Sequence, residues 1–204
     1  MREDNTEACP LAGDRAIEWS WVTAHLPDES SRVLDLGCVG SVLTGIASRL
    51  GHQVTAVDLN DIEYEMPGVM FRKGDINVLD FGDATFDVIM NCSMIEHIGL
   101  GSRYGSGRQT AGDLMAMEKL RNLVAPDGTM ILTVPMGVDA TFEPYHRIYG
   151  AARLPRLLAG YKIVQEEFWT KERGGLWNQC DKKTALSTKG APDYYALGLF
   201  LLGK

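Results

Sequence analysis

With 204 residues, 45% of them hydrophobic and 23% charged, the chain is long enough to bury one sizeable core and has the make-up of an ordinary globular domain. A formal net charge of −7 works against non-specific nucleic-acid binding, and no apolar run approaches the ~18 residues needed to span a bilayer. Cys9, Cys38, Cys92 and Cys180 lack metal-type spacing, and residues 1–8 are polar, without the apolar stretch of a secretory signal; free thiols in a reducing cytoplasm are therefore expected.

Asp14 is placed to cap a helix over residues 15–26, with Ile17, Trp21 and Ala24 on one face and Pro27 past its end, so that residues 1–28 form a helical cap. Val33, Leu34 and Leu36 surround Asp35 in a buried strand over 32–36. Gly37 and Gly40 then turn the chain into a helix over 41–50, whose Val42/Leu43, Ile46/Ala47 and Leu50 recur at helical spacing. A second strand, 53–57, ends at Asp58, and 60–68 reads as a short helix or loop closed by Pro67-Gly68. Strands follow at 69–73, ending at Gly74-Asp75-Ile76, and at 86–91.

Residues 99–112 hold five glycines with Arg103, Tyr104 and Arg108, a composition that cannot form a core element and that suggests a lid or acceptor loop. A helix over 113–124 carries Leu114, Met117, Leu120 and Val124 as its buried stripe. Pro126-Asp127-Gly128 turns into a strand over 129–135, followed by a loop, 137–147, that contains Glu143, Tyr145, His146 and Arg147. A short helix over 151–158, a strand over 161–169, a long polar connection over 170–193 and a buried strand over 194–202 complete the chain. The last two strands follow one another without a helix and should pair antiparallel. The pattern predicts a single α/β domain over 1–204: a Rossmann-like, mostly parallel seven-stranded sheet, helices on both faces, and an antiparallel C-terminal strand. Ligands of such sheets bind beyond the carboxyl ends of the parallel strands.

The charges at those ends bear on the ligand. A pyrophosphate calls for an open G-x-G-x-x-G turn, whereas only Gly37 and Gly40 stand here, behind the carboxylate of Asp35. An acid in that place repels a pyrophosphate and suits a cationic ligand such as S-adenosylmethionine, with its sulfonium and ammonium. Asp58 can take both hydroxyls of a ribose.

The ordered series Val33–Ser41, Val57-Asp58, Gly74-Asp75-Ile76, Phe86–Ile89 leading into Ser93-Met94-Ile95-Glu96-His97-Ile98, and Leu123–Thr129 with Met130–Pro135 resembles the class I S-adenosylmethionine-dependent methyltransferases. The resemblance runs over roughly residues 30–170. The chain departs from the family at Val39 and Ser41, where glycine is usual; a β-branched residue disfavours positive φ, so the turn must take another path at Val39. The resemblance implies that Asp35 and the backbone of Gly37, Cys38 and Gly40 hold the methionine end of the cofactor. It further implies that Asp58 and Leu59 meet the ribose, Asp75 and Ile76 the adenine, and Asn91 the methionyl ammonium through its backbone. The N-terminal helix would cover the cofactor.

Methyl transfer needs an aligned acceptor and, where a proton must leave, a base. His97 is the first candidate base and His146 its rival. Glu96, Arg103, Tyr104, Arg108, Tyr145 and Arg147 are candidates for holding the acceptor. Together with Lys171 and Arg173, the arginines suggest a basic rim and an anionic small molecule; no metal cluster is evident. The reading is thus methyl transfer to a small-molecule or saccharide-type acceptor at oxygen. RNA or protein as acceptor, and a non-catalytic cofactor- or nucleotide-binding module, are the alternatives; a dehydrogenase is disfavoured by Asp35 and the missing third glycine.

Overall fold

A computed structural model describes residues 13–62, 66–101, 107–172 and 175–204. The strands are β1 (Arg32–Leu36), β2 (Gln53–Asp58), β3 (Val69–Lys73), β4 (Phe86–Cys92), β5 (Val124–Met136), a small pair β6 (Ala140–Phe142) and β7 (His146–Ile148), then β8 (Lys162–Lys171), β9 (Trp177–Cys180) and β10 (Ala196–Gly203). Eight of them form one sheet in the order β3-β2-β1-β4-β5-β10-β8-β9. The pairs among β1 to β5 are parallel, whereas β10 runs antiparallel to both β5 and β8. This is the predicted Rossmann-like sheet with its antiparallel C-terminal strand, extended by one edge strand, β9.

The helices are α1 (Arg15–Ala24), α2 (Leu43–Arg49), α3 (Gly112–Leu123), α4 (Arg153–Leu157) and α5 (Lys182–Ser187). α1 and α2 bury Ile17, Trp21, Leu43 and Ala47 against one face of the sheet, and α3 and α4 bury Met117, Leu120, Leu154 and Leu157 against the other. Two apolar layers therefore sandwich β1, β4 and β5, which is why those strands are near-continuous runs of buried residues. Among the described residues no helix is long and apolar enough to cross a membrane.

Local departures from the expected elements have identifiable causes. Asp14 does not cap α1 with its side chain, because its carboxylate accepts a hydrogen bond from the Tyr195 hydroxyl of the distant C-terminal strand region. Strand β5 begins at Val124, and Pro126-Asp127-Gly128 is a bulge within it: the register against β4 jumps from Phe86–Val124 to Val88–Thr129. A Cβ at Gly128 would lie 2.9 Å from the Asp87 carbonyl oxygen, so only glycine lets the bulge approach β4. The expected loop over 137–147 contains the β6–β7 hairpin, whose three-residue strands are too short to show a period. In the expected polar connection, β9 pairs with β8, and Asp181 caps α5 by accepting from the Thr184 amide at 2.6 Å.

Candidate functional site

A cleft of about 320 Å³ opens at the carboxyl ends of β1, β2 and β4. One end is lined by Asp35, Gly37, Gly40, Asp58, Leu59, Asp75 and Ile76, so most of the expected cofactor contacts share one wall. Asp35 is 1% exposed, and its carboxylate accepts from the Thr44 hydroxyl of α2. Burial pushes its carboxyl up to about 7, Thr44 pulls it back, and the charge of Asp58 adds to the rise. Gly37 takes φ +72°, and a Cβ there would sit 2.6 Å from Met94 Cγ, so the turn has no room for a side chain. Val39 keeps φ out of the positive region, and its amide donates to Asp58 Oδ2 at 3.0 Å. Asp58 Oδ1 accepts from the Asn60 amide at 2.9 Å, which fixes the carboxylate at the mouth of the cleft. The Asn77 amide donates to Asp75 Oδ1 at 2.9 Å, holding the turn after β3.

Cys38 and Asn91, expected to meet the cofactor through their backbone, turn their side chains away from the cleft. Cys38 is 3% exposed and does not line the cleft; burial beside Asp35 lifts its thiol to about 12. Asn91 is fully buried, and its side-chain amide faces Met117 of α3, on the far side of the sheet from α1. The cleft instead continues along the next residues, Cys92, Ser93 and Met94.

The rest of the lining is made by Arg15 and Trp19 of α1, Ser93 and Met94 after β4, and His97 and Ile98. His97 closes a 3₁₀ turn, Ile95–His97; its Nδ1 lies 2.6 Å from the Tyr145 carbonyl oxygen and its Nε2 lies 3.7 Å from Glu96 Oε1. Glu96 is 2% exposed and does not line the cleft, so it faces His97 instead of a ligand, and burial raises its carboxyl to about 8. His146 is buried on β7 between Phe142 and Tyr195, at 5.9 and 5.3 Å between ring centroids, and does not line the cleft. Tyr145 meets His97 through its backbone oxygen.

Among the described residues the expected basic rim does not line the cleft. Arg147 is 3% exposed: it pairs with the buried Asp113 at 3.6 Å and donates to the Ile98 and Glu96 carbonyl oxygens at 2.6 and 3.3 Å. It pins the β7 hairpin to the 3₁₀ turn and has no face toward the cleft. Arg108 is exposed and paired with Glu143 at 2.7 Å, and Lys171 lies over the Trp177 ring at 4.6 Å. Arg103, Tyr104 and Arg173 lie outside the described residues, as do residues 102–106 of the expected lid. Its described ends are held by a bridge between Leu100 and Arg108 and by the Gln109 amide, which donates to the Gly99 carbonyl oxygen at 2.9 Å.

Arg15, Glu18, Trp19 and Ser93 join the site without having been singled out. Glu18 is fully buried under the cleft, where it accepts from the hydroxyls of Ser93 and Thr133 (the latter at 2.6 Å) and from Arg15 at 3.2 Å. One signal pointed to it: an acid in the α1 stripe beside Ile17, Trp21 and Val22. Ser93 takes φ 45°, the single positive value among the described non-glycine residues. Its amide donates to Thr133 Oγ1 at 2.9 Å and to the Thr133 carbonyl oxygen at 3.1 Å, which hold it there.

Residues 63–183 match the family model described as "Caenorhabditis protein of unknown function, DUF268". A curated relative, the ubiquinone biosynthesis O-methyltransferase of Xanthomonas campestris pv. campestris (strain B100), is 27% identical over 160 residues, covering 73% of this chain and 61% of the relative. The chain spans less than two thirds of the length of the curated relatives it matches; for one from Mesorhizobium japonicum, 35% identical over 84 residues, the share is 34%. Among solved structures, the Burkholderia thailandensis 1,6-didemethyltoxoflavin-N1-methyltransferase, with its methyl acceptor and S-adenosylhomocysteine bound, superimposes with a TM-score of 0.60 at 19% identity, covering 95% of this chain and 80% of that one. The resemblance at that identity is one of fold.

Proposed function

The chain belongs to the family described as "Caenorhabditis protein of unknown function, DUF268" and has the class I S-adenosylmethionine-dependent methyltransferase fold, and from that premise we propose that it transfers a methyl group from S-adenosylmethionine to an oxygen of a small molecule. The observation that carries this reading is the wall of carboxylates, Asp35, Asp58 and Asp75, along a cleft that no described lysine lines. A pyrophosphate would face three acids there, whereas a cationic ligand gives the buried Asp35 the counter-charge that its raised pKa shows it lacks. Asp58 would take the ribose hydroxyls, and Asp75 with Ile76 the adenine.

When bound, S-adenosylmethionine supplies an electrophilic methyl group on a sulfonium. The chain's own part is orientation, exclusion of water and removal of the acceptor's proton. His97 lines the cleft, with its Nδ1 fixed on the Tyr145 carbonyl oxygen, and Glu96 stands behind its Nε2. With Nδ1–H donated to the Tyr145 carbonyl oxygen, the lone pair is on Nε2, which would take the acceptor's proton, and Glu96, 3.7 Å away, would counter the charge of the imidazolium so formed. Oxygen as the methylated atom is supported by the names of the curated relatives.

Calorimetric titration with S-adenosylmethionine and NAD tests the cofactor: the first is expected to bind and the second not, and tighter binding of NAD overturns the reading. Transfer of labelled methyl to a pool of hydroxylated small molecules tests the activity. Binding with no transfer to small molecules, RNA or protein would leave a binding module in place of an enzyme.

A further inference from the structure

A groove of about 570 Å³ lies away from the cleft and shares no lining residue with it. It opens where β1, β2, β3 and β4 begin, at Arg32, Gln53, Val69 and Phe86, the reverse end of the sheet from the cleft. The parallel register of β2 and β3 sets Thr55 beside Met70 and Val57 beside Arg72, on the face that carries α3. The chain between β3 and β4 forms no helix, and Met70 on that face is 59% exposed. The groove's floor is apolar: Met70, with Phe81 and Phe86 packed edge to face at 5.9 Å. Its walls hold two arginines and neutral donors, and no aspartate or glutamate lines it. The Arg72 guanidinium lies over the Phe81 ring at 4.6 Å and donates through Nη2 to the Asp80 carbonyl oxygen at 2.6 Å, which fixes its plane. It has no ion-pair partner among the described residues, and Lys119 of α3 adds a second cation over the same ring at 5.8 Å. Arg32 holds Asp87 through Nε and Nη2, at 3.2 and 2.9 Å, which leaves its Nη1 clear of that pair. Thr55 is 7% exposed and lines the groove, and its hydroxyl bonds to no described residue.

Cleft and groove therefore differ in sign, with three aspartates lining the first and arginines without an acid lining the second. A guanidinium held flat on an aromatic ring offers its remaining N–H groups as a fork that matches two oxygens of a carboxylate or phosphate. The Thr55 hydroxyl is a nearly buried donor without an acceptor, and a ligand oxygen would supply one. We propose that this groove is a second small-molecule site that takes an organic anion, an aryl carboxylate or aryl phosphate. Its charged oxygens meet Arg72 and the Thr55 hydroxyl, and its ring covers the apolar floor at Met70. A cation finds no carboxylate in the lining to pair with, and a neutral apolar molecule leaves Arg72 and Thr55 unanswered. The site stands apart from whatever fills the cleft.

The test titrates benzoate, phenyl phosphate, benzyl alcohol and inorganic phosphate into the protein and follows its amides by NMR. At least one of the two aryl anions is expected to bind about tenfold or more tighter than benzyl alcohol, with shifts centred on Thr55, Met70 and Arg72 and none at Gly37 or Ser93 of the cleft. Arg72→Gln should weaken that binding about tenfold. Met70→Glu, at an exposed position where little packing is lost, should abolish it by placing a carboxylate on the floor. Benzyl alcohol binding as well as the aryl anions, shifts centred on the cleft, affinity that survives both variants, or no binding by either aryl anion at millimolar concentration overturns the inference. Inorganic phosphate binding as tightly as phenyl phosphate overturns it as well, because the apolar floor would then have no part.

Discussion

The two ends of the cleft hold their charges in different ways. At the β1–β2 end, Asp35, Asp58 and Asp75 lie within 41 consecutive residues and are satisfied locally, by Thr44, by the amides of Val39 and Asn60 and by that of Asn77. At the β4–β5 end, Glu18 bonds to Ser93 and Thr133, His97 to Tyr145, and Arg147 to Asp113 and Ile98, partners that are up to 115 residues apart. The first end is a set of strand termini that any chain with this strand order brings together. The second exists only once α1 and the β7 hairpin have docked, so its charges also hold the fold. Mutations at the two ends should therefore separate: ligand affinity at one, stability at the other.

The largest effect is expected at Arg147. Removing it leaves Asp113 buried without its cation and strips the Ile98 and Glu96 carbonyl oxygens of a donor. Arg147→Ala should cost about 3–5 kcal/mol of stability, read as a lower urea midpoint with an unchanged slope. If the midpoint stays put and only acceptor binding weakens, Arg147 belongs to a ligand-facing rim and the contrast between the ends fails.

That contrast also decides how much was legible in the sequence. Asp35, Gly37, Asp58 and Asp75 could be placed because a strand terminus fixes both where a side chain is and what it faces. The sheet itself followed from alternating apolar strands and helices, with its antiparallel closure read from two strands lacking a helix between them. Arg147 and Arg108 looked like rim charges because loop composition says nothing of burial, and the strands of the β6–β7 hairpin are three residues each. Glu18 went unmarked although it interrupts an apolar helix face, since its partners, Ser93 and Thr133, come from strands whose neighbours only the folded sheet defines. Along β4, one step from Asn91 to Cys92 moves a side chain from the α3 face to the cleft.

A smaller effect, of the other kind, is expected at Asp58. Asp58→Ala should weaken S-adenosylmethionine by about 1–3 kcal/mol through loss of its hydroxyl contacts. Calorimetry measures the affinity and a thermal melt the fold. A large drop in melting temperature with unaltered affinity would mean that its bonds to the Val39 and Asn60 amides are its whole role.

The most delicate expectation concerns Asp35, whose pKa in the folded protein is raised from 3.8 to about 7 by burial. The folded state therefore holds a proton that the unfolded chain gives up. Its contribution to stability is fully present below the unfolded value and is lost as pH rises from there through about 7. A cationic cofactor reverses that preference, because it is best bound when the carboxylate is charged. Affinity for S-adenosylmethionine should then tighten about tenfold per pH unit while pH is below the folded pKa, and level off above it. Asp35→Asn should bind more weakly at high pH and lose the dependence. Titrations across about three pH units, centred on neutrality, read the slope directly. A wild-type affinity that is flat over that range would show that the Thr44 bond keeps Asp35 ionised throughout, so that the buried acid gains nothing from the ligand's charge.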